Sequence, residues 1–146
     1  MRDLNIQMIK DLNRSLSKIN GLYQKWSLQN DMNSCMVQTM YAIYMENEMT
    51  QKEICENYQL PRQTVNNTIK LLEHNGHVKL MPFEKDKRWK KIVLTDAGSE
   101  YIEREIAQLI ELDLSVVRRM GKEKICKLVE LLHDYADSLE QETGGK

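Results

Sequence analysis

The segment Pro61–Asn75 reads PRQTVNNTIKLLEHN. On a helical wheel with Val65 at 0°, Ile69 falls at about 40° and Leu72 at about 340°, an apolar stripe. Asn66 falls at about 100°, Lys70 at about 140°, Gln63 at about 160° and Asn67 at about 200°, with Arg62 at about 60° on the first turn. The outward side therefore carries amides and cations, with Thr64 beside them. Asn and Gln can pair with adenine N6 and N7, and Arg and Lys can take guanine O6/N7 or a phosphate. Asn is a poor helix former, and a helix exposed only for stability favours Glu and Lys. The pair Asn66-Asn67 thus points to a role beyond helix formation. The plainer reading is a polar helix face without consequence.

A second set lies downstream. The six residues Phe83–Arg88 (FEKDKR) are apolar only at Phe83 and charged at the other five. An arginine at such a tip can enter a narrow minor groove, where negative potential is focused. Asp86 stands two residues before Arg88 and can fix its guanidinium by a charge-assisted bond. Lys85, Lys87, Lys90 and Lys91 are positioned by sequence to meet phosphates. Residues 61–95 contain 8 basic and 3 acidic groups, net +5, in a chain of net charge −1. Residues 96–146 carry net −5. A basic island inside an acidic chain suits a polyanion surface. A merely solvated charged face is the alternative.

The elements that must hold these residues follow from periodicity. Ile9, Leu12, Leu16, Ile19, Tyr23 and Trp26 form a helical stripe over 4–28. Met36, Val37, Met40, Ile43 and Tyr44 repeat it over 33–46, with Asn33 or Ser34 as cap. Thr50-Gln51-Lys52-Glu53 is a capping box that opens a short helix ending near Asn57. Pro61 suits the first position of the next helix, which leaves Leu60 as a poor N-cap. Gly76 ends that helix. Residues 77–82 and 89–94 alternate apolar and polar, predicting a hairpin around the charged tip. A long helix starts at Thr95 or Asp96 and is broken at Gly121. A last one carries Ile125, Leu128, Leu132, Tyr135 and Leu139 at coiled-coil-like spacing, with a frayed tail over 140–146. The expected fold class is mainly α with a small β-hairpin: a helix-turn-helix followed by a wing.

Composition narrows the function classes. The chain has 146 residues, 41% hydrophobic and 29% charged, with 6 Gly and 2 Pro. That is globular and helix-rich. It has no apolar run of membrane-spanning length and no signal-peptide pattern, so a cytoplasmic protein without membrane association is expected. Cys35, Cys55 and Cys126 are odd in number and widely spaced, which fits free thiols. His74 and His77 straddle Gly76 and cannot share a helical face, so no metal is expected. No nucleophile–base set, paired carboxylate or phosphate loop appears, so neither catalysis nor a cofactor is expected.

The segments MTQKEICENYQL, PRQTVNNTIKLLEHNGHV and DKRWKKIVLTDAG together resemble the multiple-antibiotic-resistance regulator (MarR) family. The resemblance covers about residues 33–100. Its wing signature is matched by Asp86, Arg88, Leu94, Thr95 and Gly98. The family often has Ser where this chain has Pro61. The resemblance implies a winged helix-turn-helix over 33–95 and dimerisation helices over 1–32 and 96–146. It implies a homodimeric repressor on a pseudo-palindromic double-stranded DNA site, often released by a phenolic or lipophilic effector. The expected DNA-contacting residues are Arg62, Gln63, Thr64, Asn66, Asn67, Lys70, Lys85, Asp86, Lys87, Arg88 and Lys90. Met and aromatic side chains make adaptable apolar pockets, so Trp26, Met40, Tyr41 and Tyr44 are candidate effector contacts, with core packing as the alternative. Two further readings are a winged-helix protein-interaction module and a repressor that senses oxidation. For the latter, Cys35 lies in the first turn of its helix, where the dipole favours thiolate.

Overall fold

The computed structural model describes residues 2–46 and 48–144. The elements are α1 (Arg2–Gln29), α2 (Ser34–Glu46), α3 (Gln51–Asn57), α4 (Arg62–His74), β1 (Val78–Pro82), β2 (Lys90–Leu94), α5 (Asp96–Met120) and α6 (Lys122–Glu142). The mainly helical class, the hairpin and the element order match the sequence-based expectation. Residues 1–106 form one compact unit and residues 107–146 another.

The first unit is organised by local signals at helix ends. The Asn33 side-chain oxygen accepts from the amides of Cys35 (3.0 Å) and Met36 (3.2 Å), so Asn33, not Ser34, caps α2. The capping box of α3 is complete. The Glu53 amide donates to Thr50 Oγ1 at 3.2 Å, and the Thr50 amide donates to the Glu53 carboxylate at 2.7 Å. Pro61 is displaced by one residue from expectation. Its φ of −63° suits a helix, but its ψ of 125° is extended, so it is the N-cap of α4 and not its first helical residue. The reason is that the residue before a helix keeps an extended ψ while its carbonyl already accepts. The Pro61 carbonyl accepts from Val65 at 3.1 Å. Leu60 therefore lies outside the cap, and no side chain caps α4.

At its other end α4 closes in a Schellman arrangement. The Gly76 amide donates to the Glu73 carbonyl (3.0 Å) and the His77 amide to the Leu72 carbonyl (2.8 Å). This turn needs the left-handed φ of +73° that Gly76 supplies. The chain then enters the antiparallel hairpin, with Val78 opposite Leu94, Leu80 opposite Ile92 and Pro82 opposite Lys90. The segment before α3 adds a short third edge. Thr50 bridges Lys91, and the Ile92 amide donates to the Met49 carbonyl at 2.8 Å.

Thr95 caps α5 by accepting from the Gly98 amide at 3.0 Å and also donates to the Gly76 carbonyl at 2.7 Å. Any side chain at Gly98 would overlap the His77 carbonyl. The glycine in the wing signature is thus required by how closely α5 approaches the end of α4.

The core places Val65, Ile69 and Leu72 of α4 among Val37 and Met40 of α2, Ile54 of α3, Val78 and Ile92 of the hairpin, and Ile102 and Ile106 of α5; all are 3% exposed or less. Each such burial contributes about 1.5–3 kcal/mol. The stripe predicted on α4 is therefore its buried face. The stripe on α1 differs: Ile9, Ile19 and Tyr23 remain exposed.

In the second unit, α6 has no buried residue, and Leu128, Leu132, Tyr135 and Leu139 of its predicted seam are exposed. The helix runs through Glu142, so residues 140–142 of the expected frayed tail are helical. Among the described residues, no helix is long and apolar enough to cross a membrane.

Candidate nucleic-acid interface

The outward side of α4 is the one the wheel predicts. Arg62, Gln63, Asn67 and Lys70 are exposed, and Thr64 and Asn66 are half-buried at its edges. The Gln63 amide donates to the Asn67 side-chain oxygen at 3.1 Å, one turn apart. This pairing orders two long polar side chains on the free face. From α3, the Gln51 side chain reaches the Arg62 carbonyl at 3.4 Å.

At the hairpin tip, Asp86 holds Arg88 in a fork. Arg88 Nε donates to Asp86 Oδ1 at 3.0 Å and Nη2 donates to Oδ2 at 2.7 Å, while the Arg88 amide donates to Oδ1 at 3.0 Å. The Arg88 side chain is nevertheless 85% exposed. It is oriented without being covered. The guanidinium beside it holds the Asp86 carboxyl below its ordinary value. Lys85, Lys87 and Lys90 are exposed around this pair.

Lys91 does not belong to that cationic rim. Successive strand residues face opposite sides. Lys91 turns away from Lys90, its ammonium donates to Glu48 at 2.9 Å, and its side chain is only 15% exposed. Its sequence-based assignment to phosphates is corrected accordingly.

Between α4 and the hairpin runs a groove of about 340 Å³. Ile69, Leu80 and Ile92 line it together with Arg62, Asn66 and Lys70 of α4 and Arg88, Trp89 and Lys90 of the wing. The structure thus brings the two candidate sets together on one groove. It also adds residues the sequence reading passed over: Gln51, Lys52 and Trp89. Lys52 hid inside the capping box, and Trp89 looked like one alternating strand residue; only the lone aromatic within a cationic run was a signal.

The remaining candidates differ in burial. Met40 is fully buried in the core, whereas Trp26, Tyr41 and Tyr44 are half-buried. Cys35 and Cys55 are half-buried and Cys126 is exposed. Burial pushes the Cys55 thiol up, opposite to what an oxidation-sensing thiol needs. His77 stacks on Tyr101 with ring centroids 4.1 Å apart. Among the described residues, no group of His, Cys, Asp or Glu is placed to hold a metal.

Residues 37–88 match the sequence model of the MarR family. Among solved structures, a MarR family regulator from Neisseria meningitidis is 26% identical, with 94% of this chain and 96% of that one aligned at a TM-score of 0.80. The DNA complex of S. aureus MepR aligns over 88% of this chain and 95% of that one at 23% identity and a TM-score of 0.59. The regulator PcaV of Streptomyces coelicolor, in complex with its natural ligand, aligns over 88% and 92% at 19% identity and a TM-score of 0.60. No curated protein matches the chain. The MarR family's sequence pattern is thus matched on the winged helix-turn-helix itself, and the fold of the Neisseria regulator is followed over nearly the whole length of this chain.

Proposed function

We propose that the chain binds double-stranded DNA as a homodimer and acts as a repressor released by a small lipophilic or phenolic molecule. Helix α4 enters the major groove, where Gln63, Asn66 and Asn67 meet base edges and Arg62, Thr64 and Lys70 meet bases or phosphates. The wing follows the duplex to the adjacent minor groove, where Arg88, held by Asp86, enters. Lys85, Lys87 and Lys90 contact phosphates. The single observation that carries this reading is that α4 and an aspartate-oriented, exposed Arg88 wall the same groove. The MepR–DNA complex supports it by fold.

Dimerisation is supported by the apolar side chains that α1 and α6 leave uncovered, Ile9 and Ile19 on one and Leu128, Leu132 and Leu139 on the other. In this reading residues 33–95 read DNA while residues 1–32 and 96–146 hold the dimer. An effector would meet the half-buried rings of Trp26, Tyr41 and Tyr44, backed by Met40. The ligand complex of PcaV supports an effector by fold alone.

The test is titration of specific and scrambled duplexes at fixed salt. Gln63→Ala and Asn66→Ala each weaken the specific site by about 1–3 kcal/mol and leave non-specific binding nearly intact. Arg88→Ala weakens both. Half-sites lie about one helical turn apart, ~10 bp. If both amide variants bind like wild type, α4 is not the reading helix. A protein-interaction module would then be the better reading.

A further inference from the structure

The wing would gain little from an oriented arginine if the hairpin itself swung freely against α4. The hairpin base is held by the Ile92–Met49 bond, but the tip projects beyond it. Trp89, next in the chain after Arg88, touches both the tip and α3. Its backbone closes the tip: the Trp89 amide donates to the Asp86 carbonyl and the Phe83 amide donates to the Trp89 carbonyl, both at 3.0 Å. Its ring meets α3, where Lys52 Nζ stands 5.8 Å from the ring centroid. Lys52 also pairs with Glu56 of its own helix, at 3.8 Å one turn on. Although Trp89 retains 38% exposure, it lines the groove beside Arg88.

We infer that the Lys52–Trp89 contact is a lock that joins the wing tip to α3 and so sets the position of Arg88 relative to α4. Trp89 and Lys52 are positioning residues. The inference rests on the DNA-binding reading, because the benefit of a fixed tip is that Arg88 and the α4 amides meet one duplex together. A cation over an indole face is attractive, and a pre-set tip spares the ordering cost at binding. The lock is built from chemistry that tolerates limited change. Phenylalanine keeps a ring face and arginine keeps a cation, whereas alanine and methionine remove one partner each.

Two measurements test it on the full-length protein. The first needs no DNA. Incorporation of 5-fluorotryptophan gives one fluorine signal each for Trp26 and Trp89, assigned with W89F. The Trp89 signal shifts in K52M and stays near its wild-type position in K52R, while the Trp26 signal holds in both. A Trp89 signal indifferent to K52M overturns the lock. The second is a cycle on the preferred duplex. W89A and K52M each weaken binding about fivefold, and W89F and K52R stay within about twofold of wild type. In an R88A background, W89A costs nothing further, because there is no arginine left to place. Independent, multiplying losses in W89A and R88A overturn the positioning role. So does failure of W89F to rescue, which would mark the indole as a direct contact. A wild-type protein that bound no duplex would end the DNA reading instead, and the lock would stand or fall on the fluorine signal.

Discussion

The winged helix-turn-helix and α6 treat their apolar residues in opposite ways. In the former, Val65, Ile69 and Leu72 of a short helix are all within 3% of full burial. In α6, a longer helix with as regular a stripe, nothing is buried. Sequence periodicity alone makes the two look alike. The difference is in what surrounds them. Helix α4 has α2, α3 and β1 packed against it within one chain. The stripe of α6 is left 40–50% exposed from Leu128 to Leu139, so its apolar side chains gain only part of what burial would give. A periodic stripe therefore announces that a face is to be covered and is silent on who covers it. In the winged region the chain covers its own; in α6 the proposal assigns that part to a second copy.

The two regions differ most in their response to cutting back an apolar side chain. Ile102→Ala, in a fully buried site, is expected to destabilise the protein by about 2–5 kcal/mol. The loss is independent of protein concentration, because the site is filled from within the chain. Thermal unfolding at two concentrations a hundredfold apart checks this. Leu132→Asp should behave in the opposite way. It exposes no new cavity, since Leu132 is already uncovered. It should shift the dimer to monomer in light scattering at micromolar concentration and leave helix content nearly unchanged. A wild-type chain that is monomeric at that concentration would mean that no second copy covers α6.

How much of this was legible in sequence depends on the range of the interactions. Local grammar was readable: the Thr50–Glu53 box, the Gly76 terminus, the Thr95 cap and the Asp86–Arg88 fork all join residues at most five apart or follow from one residue's backbone. The face of α4 was readable because three apolar residues fix it. Contacts across sequence were not. The Lys91–Glu48 pair and the Lys52–Trp89 contact span 43 and about 37 residues, and periodicity carries no information on register between distant segments. Lys91 therefore reads in sequence as one of its charged neighbours, although strand alternation separates it from Lys90. Gly98 was readable as a motif position only; its cause, the His77 carbonyl beneath it, is tertiary. Gly98→Ala should accordingly destabilise by about 1–3 kcal/mol, because backbone must move, whereas an alanine at exposed Gly21 meets nothing within 4 Å and should be neutral or stabilising. Equal melting temperatures for the two variants would refute the close approach of α5 to the end of α4.

Thiol labelling extends the same contrast to reactivity. Cys126 of α6 is exposed, and Cys55 is half-buried with its thiol pushed up by burial. At neutral pH a thiol reagent should modify Cys126 first and Cys55 well after it, since thiolate is the attacking species. Peptide mapping after timed quenching reads the order. Cys55 reacting first would revive an oxidation-sensing role for α3.

The smallest effect belongs to the wing tip, which is as exposed as α6 yet polar and internally satisfied. Asp86 titrates below its ordinary value because it accepts from Arg88, so the folded state favours its charged form. For a carboxyl with a depressed folded value, the contribution is complete above the unfolded value, about 3.9, and is lost only as pH falls through the lower folded one. Between pH 8 and 5 the fork is therefore constant, and DNA affinity in that range should owe nothing to Asp86 titration. The pair is solvent-screened, so the melting temperature of Asp86→Asn should barely differ from wild type. What should change is orientation. In the wild type, the Asp86 carboxyl carbon should show its NMR inflection below the ordinary carboxylate value, and the Arg88 Nε proton should broaden over the same interval. In Asp86→Asn that proton should be broad at neutral pH. An Asp86 inflection at or above the ordinary value would mean that the fork does not persist in solution, and the wing would then bring a free arginine to whatever it binds.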